Sequence, residues 1–203
     1  MKVKICGIRR VEDALTAIDL GANALGFVFW PGSPRFIDPA DAREIVAAVP
    51  AFVTTVGVFV DQPAEYVGEV ARGLKLGAVQ LHGRERVQAF SGLSAAVIKS
   101  VPMANGTDVD GLLAAVPMDA TVLLDAHDPV KHGGTGRTID WDRAAAVARR
   151  RPVILSGGLN ADNVRAAVET VRPYAIDVSS GVESSPGVKD GSKLRAFFAA
   201  VNL

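Results

Sequence analysis

The sequence predicts an α/β fold, a single (β/α)8 TIM barrel that extends over residues 1–203 as one domain. Apolar runs of strand length alternate with segments of helical periodicity, and this unit occurs eight times without an intervening linker or low-complexity segment. Such alternation is typical of a parallel sheet covered by helices. Eight equal units favour a closed barrel over the alternative, an open doubly wound sheet.

Each predicted strand is a mainly apolar run, as expected when both faces of a parallel sheet are buried. In chain order the runs are VKICGI (3–8), ALGFVF (24–29), FVTTVGVFV (52–60), AVQLH (78–82), AAVIKSV (95–101), ATVLLD (120–125), PVILS (152–156) and YAIDVSS (174–180).

Each strand is followed by a predicted helix, marked by apolar residues at spacings of three and four. Asp38 and Pro39 supply an N-cap and a first-turn proline for the second helix, and Asp140 opens the sixth. The apolar positions or spans that mark the helices are Val11, Ala14, Leu15 and Ile18; Ala42, Ile45, Val46 and Val49; Val67, Val70, Ala71 and Leu74; 84–90; 108–116; the segment after Asp140; Val164, Ala167, Val168 and Val171; and Leu194, Phe197, Phe198 and Val201.

The composition argues against a nucleic-acid-binding or membrane-binding protein. Lys plus Arg equals Asp plus Glu at 22 each, so no net field attracts nucleic acid or an anionic membrane, and a small molecule is the expected partner. No apolar run is long enough to span a bilayer. One cysteine cannot form an intramolecular disulfide, and no ligand spacing indicates a metal site, which together predict a cytoplasmic protein without a bound metal.

Two late loops carry glycines where barrel enzymes bind phosphate. One loop follows the seventh strand and the other follows the eighth. Glycine lets backbone N–H groups approach an anion closely. The loops therefore predict a phosphate site made of Gly157, Gly158, Ser179, Ser180 and Gly181.

Two strand ends carry candidate catalytic groups. Side chains alternate along a strand, so Ile5 is expected to face the helices and Cys6 the barrel mouth. Asp125 ends the sixth strand, where a carboxylate could act as a general acid and a thiolate at Cys6 as a base. The long segment 126–138 that follows Asp125 is predicted to be a mobile lid.

The same alternation turns Gln80, His82 and Asp177 toward the mouth, where they are candidate substrate-binding groups. Arg35 lies in the loop after the second strand beside two aromatic residues, Trp30 and Phe36. An arginine there could bind a carboxylate through two parallel hydrogen bonds, with the rings against an aromatic substrate.

From the residues alone, the site indicates a sugar-phosphate isomerase or lyase. No GxGxxG follows the first strand, which argues against hydride chemistry with a dinucleotide. Lys99 in the fifth strand keeps a Schiff-base mechanism open. A metal site built from Cys6, His82 and Asp125 has no supporting ligand spacing.

Six motifs in order resemble the phosphoribosylanthranilate isomerase family from end to end. They are KICGI (4–8), GFVFWPGSPR (26–35), VQLHG (79–83), LLDA with GGTG (123–126 and 133–136), LSGGLN (155–160) and DVSSGVE (177–183). The resemblance implies a cofactor-free Amadori rearrangement of N-(5-phosphoribosyl)anthranilate in tryptophan biosynthesis. It also implies that Cys6 is the general base and Asp125 the general acid, that Arg35 binds the carboxylate, and that the two late loops bind the phosphate.

Two other functions stay open at this stage. One is the analogous isomerase of histidine biosynthesis, which uses an aspartate pair where this chain has Cys6. The other is a non-catalytic barrel that binds phosphorylated metabolites, which would need neither Cys6 nor Asp125. One departure from the family is that Arg9 or Arg10 stands where many members cap the first helix with a hydroxyl or amide side chain. The protein is expected to be a monomer or a weak homodimer.

Overall fold

The computed structural model describes residues 1–126 and 140–202. Eight parallel strands form a closed barrel in chain order, and β8 pairs with β1 through Val3 and Ile176. The strands are β1 Lys2–Cys6, β2 Ala24–Val28, β3 Thr54–Phe59, β4 Ala78–Leu81, β5 Ala96–Pro102, β6 Thr121–Asp125, β7 Val153–Leu155 and β8 Ala175–Val178. The predicted barrel is therefore confirmed. The predicted lid lies outside the described residues, apart from Ala126.

Helices follow seven of the eight strands in the described parts of the chain. They are α1 Val11–Asp19, α2 Pro39–Ala47, α3 Ala64–Leu74, α4 Val109–Ala114, α5 Trp141–Ala148, α6 Val164–Val171 and α7 Gly191–Asn202. Both predicted caps are present: Asp38 accepts a hydrogen bond from the Ala40 N–H, and Asp140 accepts one from the Arg143 N–H. The start of α1 at Arg10 has no side-chain cap, as the departure from the family pattern predicts.

The predicted helix over 84–90 is wrong. Only a short 3-10 helix, Val87–Phe90, follows β4. Glu85 explains the difference, because its carboxylate accepts hydrogen bonds from Lys99 Nζ and from the backbone N–H groups of Asp61 and Gly83. These contacts hold the preceding residues as a loop.

The apolar stripe predicted for α1 is also partly wrong. Leu15 is 42% exposed, whereas Asp13 is buried together with Ala14 and Ala17. Asp13 is buried because its carboxylate accepts hydrogen bonds from Arg10 and from the Lys189 N–H. The buried face of α1 is therefore turned toward a neighbouring hairpin.

That hairpin lies between β8 and α7. A 3-10 helix, Ser180–Val182, leads into two short antiparallel strands, β9 Glu183–Ser185 and β10 Val188–Lys189. The sequence analysis placed no element here. The hairpin brings Glu183 and Lys189 to the barrel mouth, where both side chains are buried.

One apolar layer lies between the sheet and the helices and another fills the barrel interior, and the strand alternation separates them. On β6, Val122 and Leu124 pack against the helices, while Leu123 faces the barrel interior with Val56 and Ile154. Nearer the mouth, Cys6 packs with Val28 and Val58. The interior is therefore closed by side chains, and a cavity opens at the carboxyl ends of the strands.

Candidate active site

A cavity opens at the carboxyl ends of the strands, where barrel enzymes place their chemistry. Every predicted site residue except Gly181 lines it. The lining includes Cys6, Trp30, Arg35, Gln80, His82, Asp125, Gly157, Gly158, Asp177, Ser179 and Ser180. Phe36, which was expected beside an aromatic substrate, is not among the lining residues.

Cys6 occupies the position that strand alternation predicts. Ile5 is fully buried in the layer between sheet and helices, while Cys6 is 8% exposed and lines the cavity. The backbone around Cys6 is held firmly, because the Cys6 carbonyl accepts hydrogen bonds from Ser179 Oγ at 3.1 Å and from Lys189 Nζ at 2.5 Å. The thiol is therefore presented to the cavity by a fixed strand end.

Lys4 and Asp177 form a buried ion pair beside Cys6. Lys4 Nζ donates to Asp177 Oδ1 at 2.8 Å, and Ser156 Oγ donates to Asp177 Oδ2 at 3.2 Å. Burial alone would lower the pKa of Lys4, but the charge of Asp177 and the proximity of Cys6 raise it above its ordinary value. The sequence analysis missed Lys4, although Lys4 lies two residues before Cys6 and the same alternation places it on the same face.

The pKa of the Cys6 thiol is raised above its ordinary value. Burial is the main cause, and the nearby charge of Asp177 adds to it, while Lys4 and Lys189 act in the opposite direction. Burial and Asp177 therefore oppose ionisation of the thiol, and the two lysines favour it.

Asp125 lies at the end of a chain of polar contacts. Gln80 Nε2 and His82 Nδ1 are 2.9 Å apart, and His82 Nε2 and Asp125 Oδ2 are 3.2 Å apart. The other oxygen of Asp125 accepts a hydrogen bond from the Ala126 N–H at 2.9 Å. Gln80 and His82, predicted as substrate-binding groups, thus contact each other and orient the Asp125 carboxylate.

Arg35 is paired within the protein. Its Nε and Nη2 atoms donate to the two carboxylate oxygens of Glu183 at 2.9 and 2.7 Å, and Lys189 Nζ donates to Glu183 Oε1 at 2.8 Å. Burial alone would raise the pKa of Glu183, but the hydrogen bond from Arg35 and the charge of Lys189 lower it below its ordinary value. Sequence reasoning assigned no role to Glu183 or Lys189, although Glu183 ends the motif DVSSGVE and both charged residues flank the Pro-Gly turn at 186–187.

The two glycine-containing loops lie against each other at the cavity. Gly157 and Gly158 have φ angles of +93° and +66°, which side chains rarely tolerate. A Cβ atom at Gly181 would overlap the carbonyl oxygen of Leu159, so Gly181 lies behind the cavity wall and holds the loops together. Among the described residues, no hydrogen bond uses the backbone N–H groups of Gly157 and Gly158.

The described residues contain neither a metal-binding cluster nor a membrane-spanning helix. No group of three or more His, Cys, Asp or Glu side chains within 1–126 and 140–202 is arranged to hold a metal ion. In the same parts of the chain, no helix has the length and apolar character needed to cross a membrane.

Proteins of one family are similar to this chain over nearly its full length. The family model for N-(5'phosphoribosyl)anthranilate (PRA) isomerase matches residues 3–200. The N-(5'-phosphoribosyl)anthranilate isomerase of Geobacter metallireducens is 49% identical over 197 residues, which cover 97% of this chain and 96% of the relative.

Two solved structures are also similar. A phosphoribosyl anthranilate isomerase in complex with reduced 1-(o-carboxyphenylamino)-1-deoxyribulose 5-phosphate has a TM-score of 0.88 at 42% identity, with 100% of both chains covered. Monomers generated from the dimeric enzyme of Thermotoga maritima have a TM-score of 0.88 at 40% identity, with 100% of this chain and 98% of the other covered.

Proposed function

The chain belongs to the N-(5'-phosphoribosyl)anthranilate isomerase family, and on that premise we propose that it rearranges this substrate to 1-(2-carboxyphenylamino)-1-deoxyribulose 5-phosphate in tryptophan biosynthesis. The observation that carries the assignment of roles is that Cys6 and Asp125 line one cavity together with both glycine-containing loops. An acid, a base and an anion site are thus available to one small sugar phosphate.

Asp125 acts as the general acid. Its proton goes to the ribose ring oxygen, the bond from that oxygen to C1 breaks, and the nitrogen lone pair forms a C1=N iminium. His82 supports this step by fixing the orientation of the carboxyl group through its contact with Oδ2. Such proton transfer typically contributes about 10²–10⁴-fold to the rate.

Cys6 acts as the general base. Its thiolate takes the proton from C2, so that an S–H bond forms while the C2–H bond breaks, and the electron pair forms a C1=C2 bond and neutralises the iminium. The resulting enol amine becomes the ketone when the C2 hydroxyl loses a proton and C1 gains one. The reaction needs no external electron donor or acceptor, and for this reason we propose that it requires no cofactor.

The remaining contacts hold the two ends of the substrate. The N–H groups of Gly157 and Gly158, with Ser179 and Ser180, are proposed to bind the phosphate, and Gly181 is proposed to hold their two loops together. Arg35 is proposed to bind the anthranilate carboxylate through Nη1, since Nε and Nη2 are engaged by Glu183. Trp30 lines the same cavity and is proposed to contact the aromatic ring. Asp177, Gln80 and His82 face the ribose.

The test is a fluorescence assay in which the purified protein is given phosphoribosylanthranilate, with the corresponding histidine-pathway substrate assayed in parallel. We expect turnover of the anthranilate compound, and loss of it in Cys6→Ser. Turnover of the histidine-pathway compound alone would assign the chain to that reaction, because its isomerase is the nearest enzymatic alternative. Tight binding of both compounds without turnover would indicate a binding protein instead.

We also propose that residues 1–203 act as one domain, in the cytoplasm, as a monomer or a weak homodimer. The Thermotoga maritima relative, described both as dimeric and as monomers, supports either state for this fold. Sedimentation over a range of protein concentrations distinguishes the two states, and cell fractionation tests the location.

A further inference from the structure

Lys4 is a buried charge that the proposed mechanism does not use. Its side chain is 4% exposed and contacts Asp177 inside the barrel mouth. Burying an ammonium group is costly unless it is paired. A fully buried ion pair directly beside a reacting group therefore calls for an explanation beyond stability, because apolar residues of similar volume often serve stability equally well.

The geometry places the Lys4 ammonium near the Cys6 sulfur. A Cβ atom added to Gly26 on β2 would lie 2.9 Å from Cys6 Sγ and 3.1 Å from Lys4 Nζ. Both atoms therefore border the space that the missing side chain of Gly26 leaves, and they lie no more than about 6 Å apart. Lys4 Nζ can face the sulfur and Asp177 at once, because an ammonium group carries three donors.

We propose that Lys4 is a positioning residue that stabilises the thiolate of Cys6 and so makes this cysteine competent as the general base. When the thiol ionises, its proton passes to water, and the negative sulfur remains beside the positive Lys4. The proposal rests on the proposed function for its catalytic meaning, but the ionisation of Cys6 can be measured without any substrate.

Several charged side chains near Cys6 influence its ionisation, and a test must distinguish their effects. Lys4 faces the sulfur from β1, Asp177 from β8 and Lys189 from β10. Across the cavity, Arg35, His82 and Asp125 line the same space. Asp177 opposes ionisation of Cys6 and also holds Lys4 in place. Lys4 and Asp177 must therefore be substituted both singly and together.

Cys6 is the only cysteine of the chain, so alkylation by iodoacetamide reports on this thiol alone. The rate is measured against pH for the unmodified protein, Lys4→Met, Asp177→Asn, the double variant Lys4→Met/Asp177→Asn, and Lys99→Met. Lys99 is a matched control, because it is a buried lysine paired with Glu85 and bound to the backbone of β4 and the following loop.

We expect the midpoint of alkylation to rise by about one pH unit or more in Lys4→Met, as for loss of an opposite charge at close range. The midpoint should fall in Asp177→Asn. In the double variant it should lie above that of Asp177→Asn by about the same amount as Lys4→Met lies above the unmodified protein. Lys99→Met should leave it unchanged.

Equal midpoints in Asp177→Asn and the double variant would overturn the proposal, as would an equal shift in Lys99→Met. If Lys4→Met alone fails to fold, the comparison of Asp177→Asn with the double variant still tests the proposal. Neither of these variants leaves the Asp177 carboxylate buried without Lys4. Absence of phosphoribosylanthranilate turnover in the unmodified protein would count against the proposed function and leave these midpoints interpretable.

Discussion

Arg35 and Glu183 lie side by side, joined by two parallel hydrogen bonds of 2.9 and 2.7 Å, and both side chains are buried at the cavity. This fork-to-fork pairing fixes the guanidinium plane. Because the pair uses Nε and Nη2, it leaves Nη1 for a ligand. A predicted substrate-binding arginine is therefore oriented in advance by a residue from the hairpin after β8.

Arg35→Ala should weaken binding of the anthranilate half. Hydrogen bonds to charged groups contribute about 1.5–3 kcal/mol, so we expect KM to rise about tenfold or more with a smaller change in kcat. Steady-state kinetics measures this, with Arg43→Ala as a control, because Arg43 is exposed on α2. An unchanged KM would remove Arg35 from the site.

Glu183→Gln should reduce stability in a pH-dependent way. The pKa of Glu183 is lowered in the folded protein, so its contribution is complete above the unfolded value of about 4.3 and is lost as pH falls through the lower folded value. Denaturant unfolding at neutral and acidic pH should show a difference between Glu183→Gln and the unmodified protein that shrinks in acid. Glu12→Gln, at an exposed surface ion pair, should show little difference at either pH. A Glu183→Gln difference that grows in acid would contradict the assignment.

Cys6→Ser and Asp125→Asn should each lower kcat by about 10²–10⁴-fold, because each removes one proton-transfer group. Binding should be largely kept, since neither residue is proposed to hold the phosphate or the carboxylate. Single-turnover kinetics and binding of a non-reactive product analogue measure the two effects separately. Near-normal turnover in either variant would refute the assigned role.

Gly181→Ala should disrupt the phosphate site, because the added Cβ would overlap the Leu159 carbonyl oxygen and push the two loops apart. We expect inhibition by inorganic phosphate to weaken by about tenfold, a loss equivalent to about 1.4 kcal/mol. Gly73→Ala is the matched control, since nothing lies within 4 Å of a Cβ at this position in α3 and a helical alanine is favourable. Unchanged phosphate inhibition in Gly181→Ala would show that the contact between the loops is not needed.

The effect of burial on Cys6 can be measured in the unmodified protein, without any substitution. Burial raises the pKa of the thiol, so its alkylation midpoint in the unmodified protein should lie above the reference value of about 8.5. Added phosphate should change the rate of Cys6 alkylation, since the anion would occupy the same cavity. A midpoint below that reference would mean that the positive charges of Lys4 and Lys189 outweigh burial.

Strand alternation and helix-cap preference, both local properties, account for the predictions that the structure confirms. Period-two alternation places Cys6 in the cavity and Ile5 behind it, and the caps at Asp38 and Asp140 follow from the preference of aspartate for helix N-termini. The helix predicted after β4 failed because hydrogen bonds to Glu85 from residues distant in the chain outweighed local periodicity.

The sequence by itself determined the eight-unit barrel and the strand parity that turns Cys6 to the cavity and Ile5 away from it. It did so because strand parity and the connection order of a parallel barrel are local rules. Only the tertiary structure decided which charges meet. Lys4 beside Cys6 and Asp177, and Lys189 beside Glu183 and Arg35, join residues up to 173 positions apart. Such pairings depend on closure of the barrel between β8 and β1 and on the hairpin that folds back over the mouth, and no spacing along the chain encodes them.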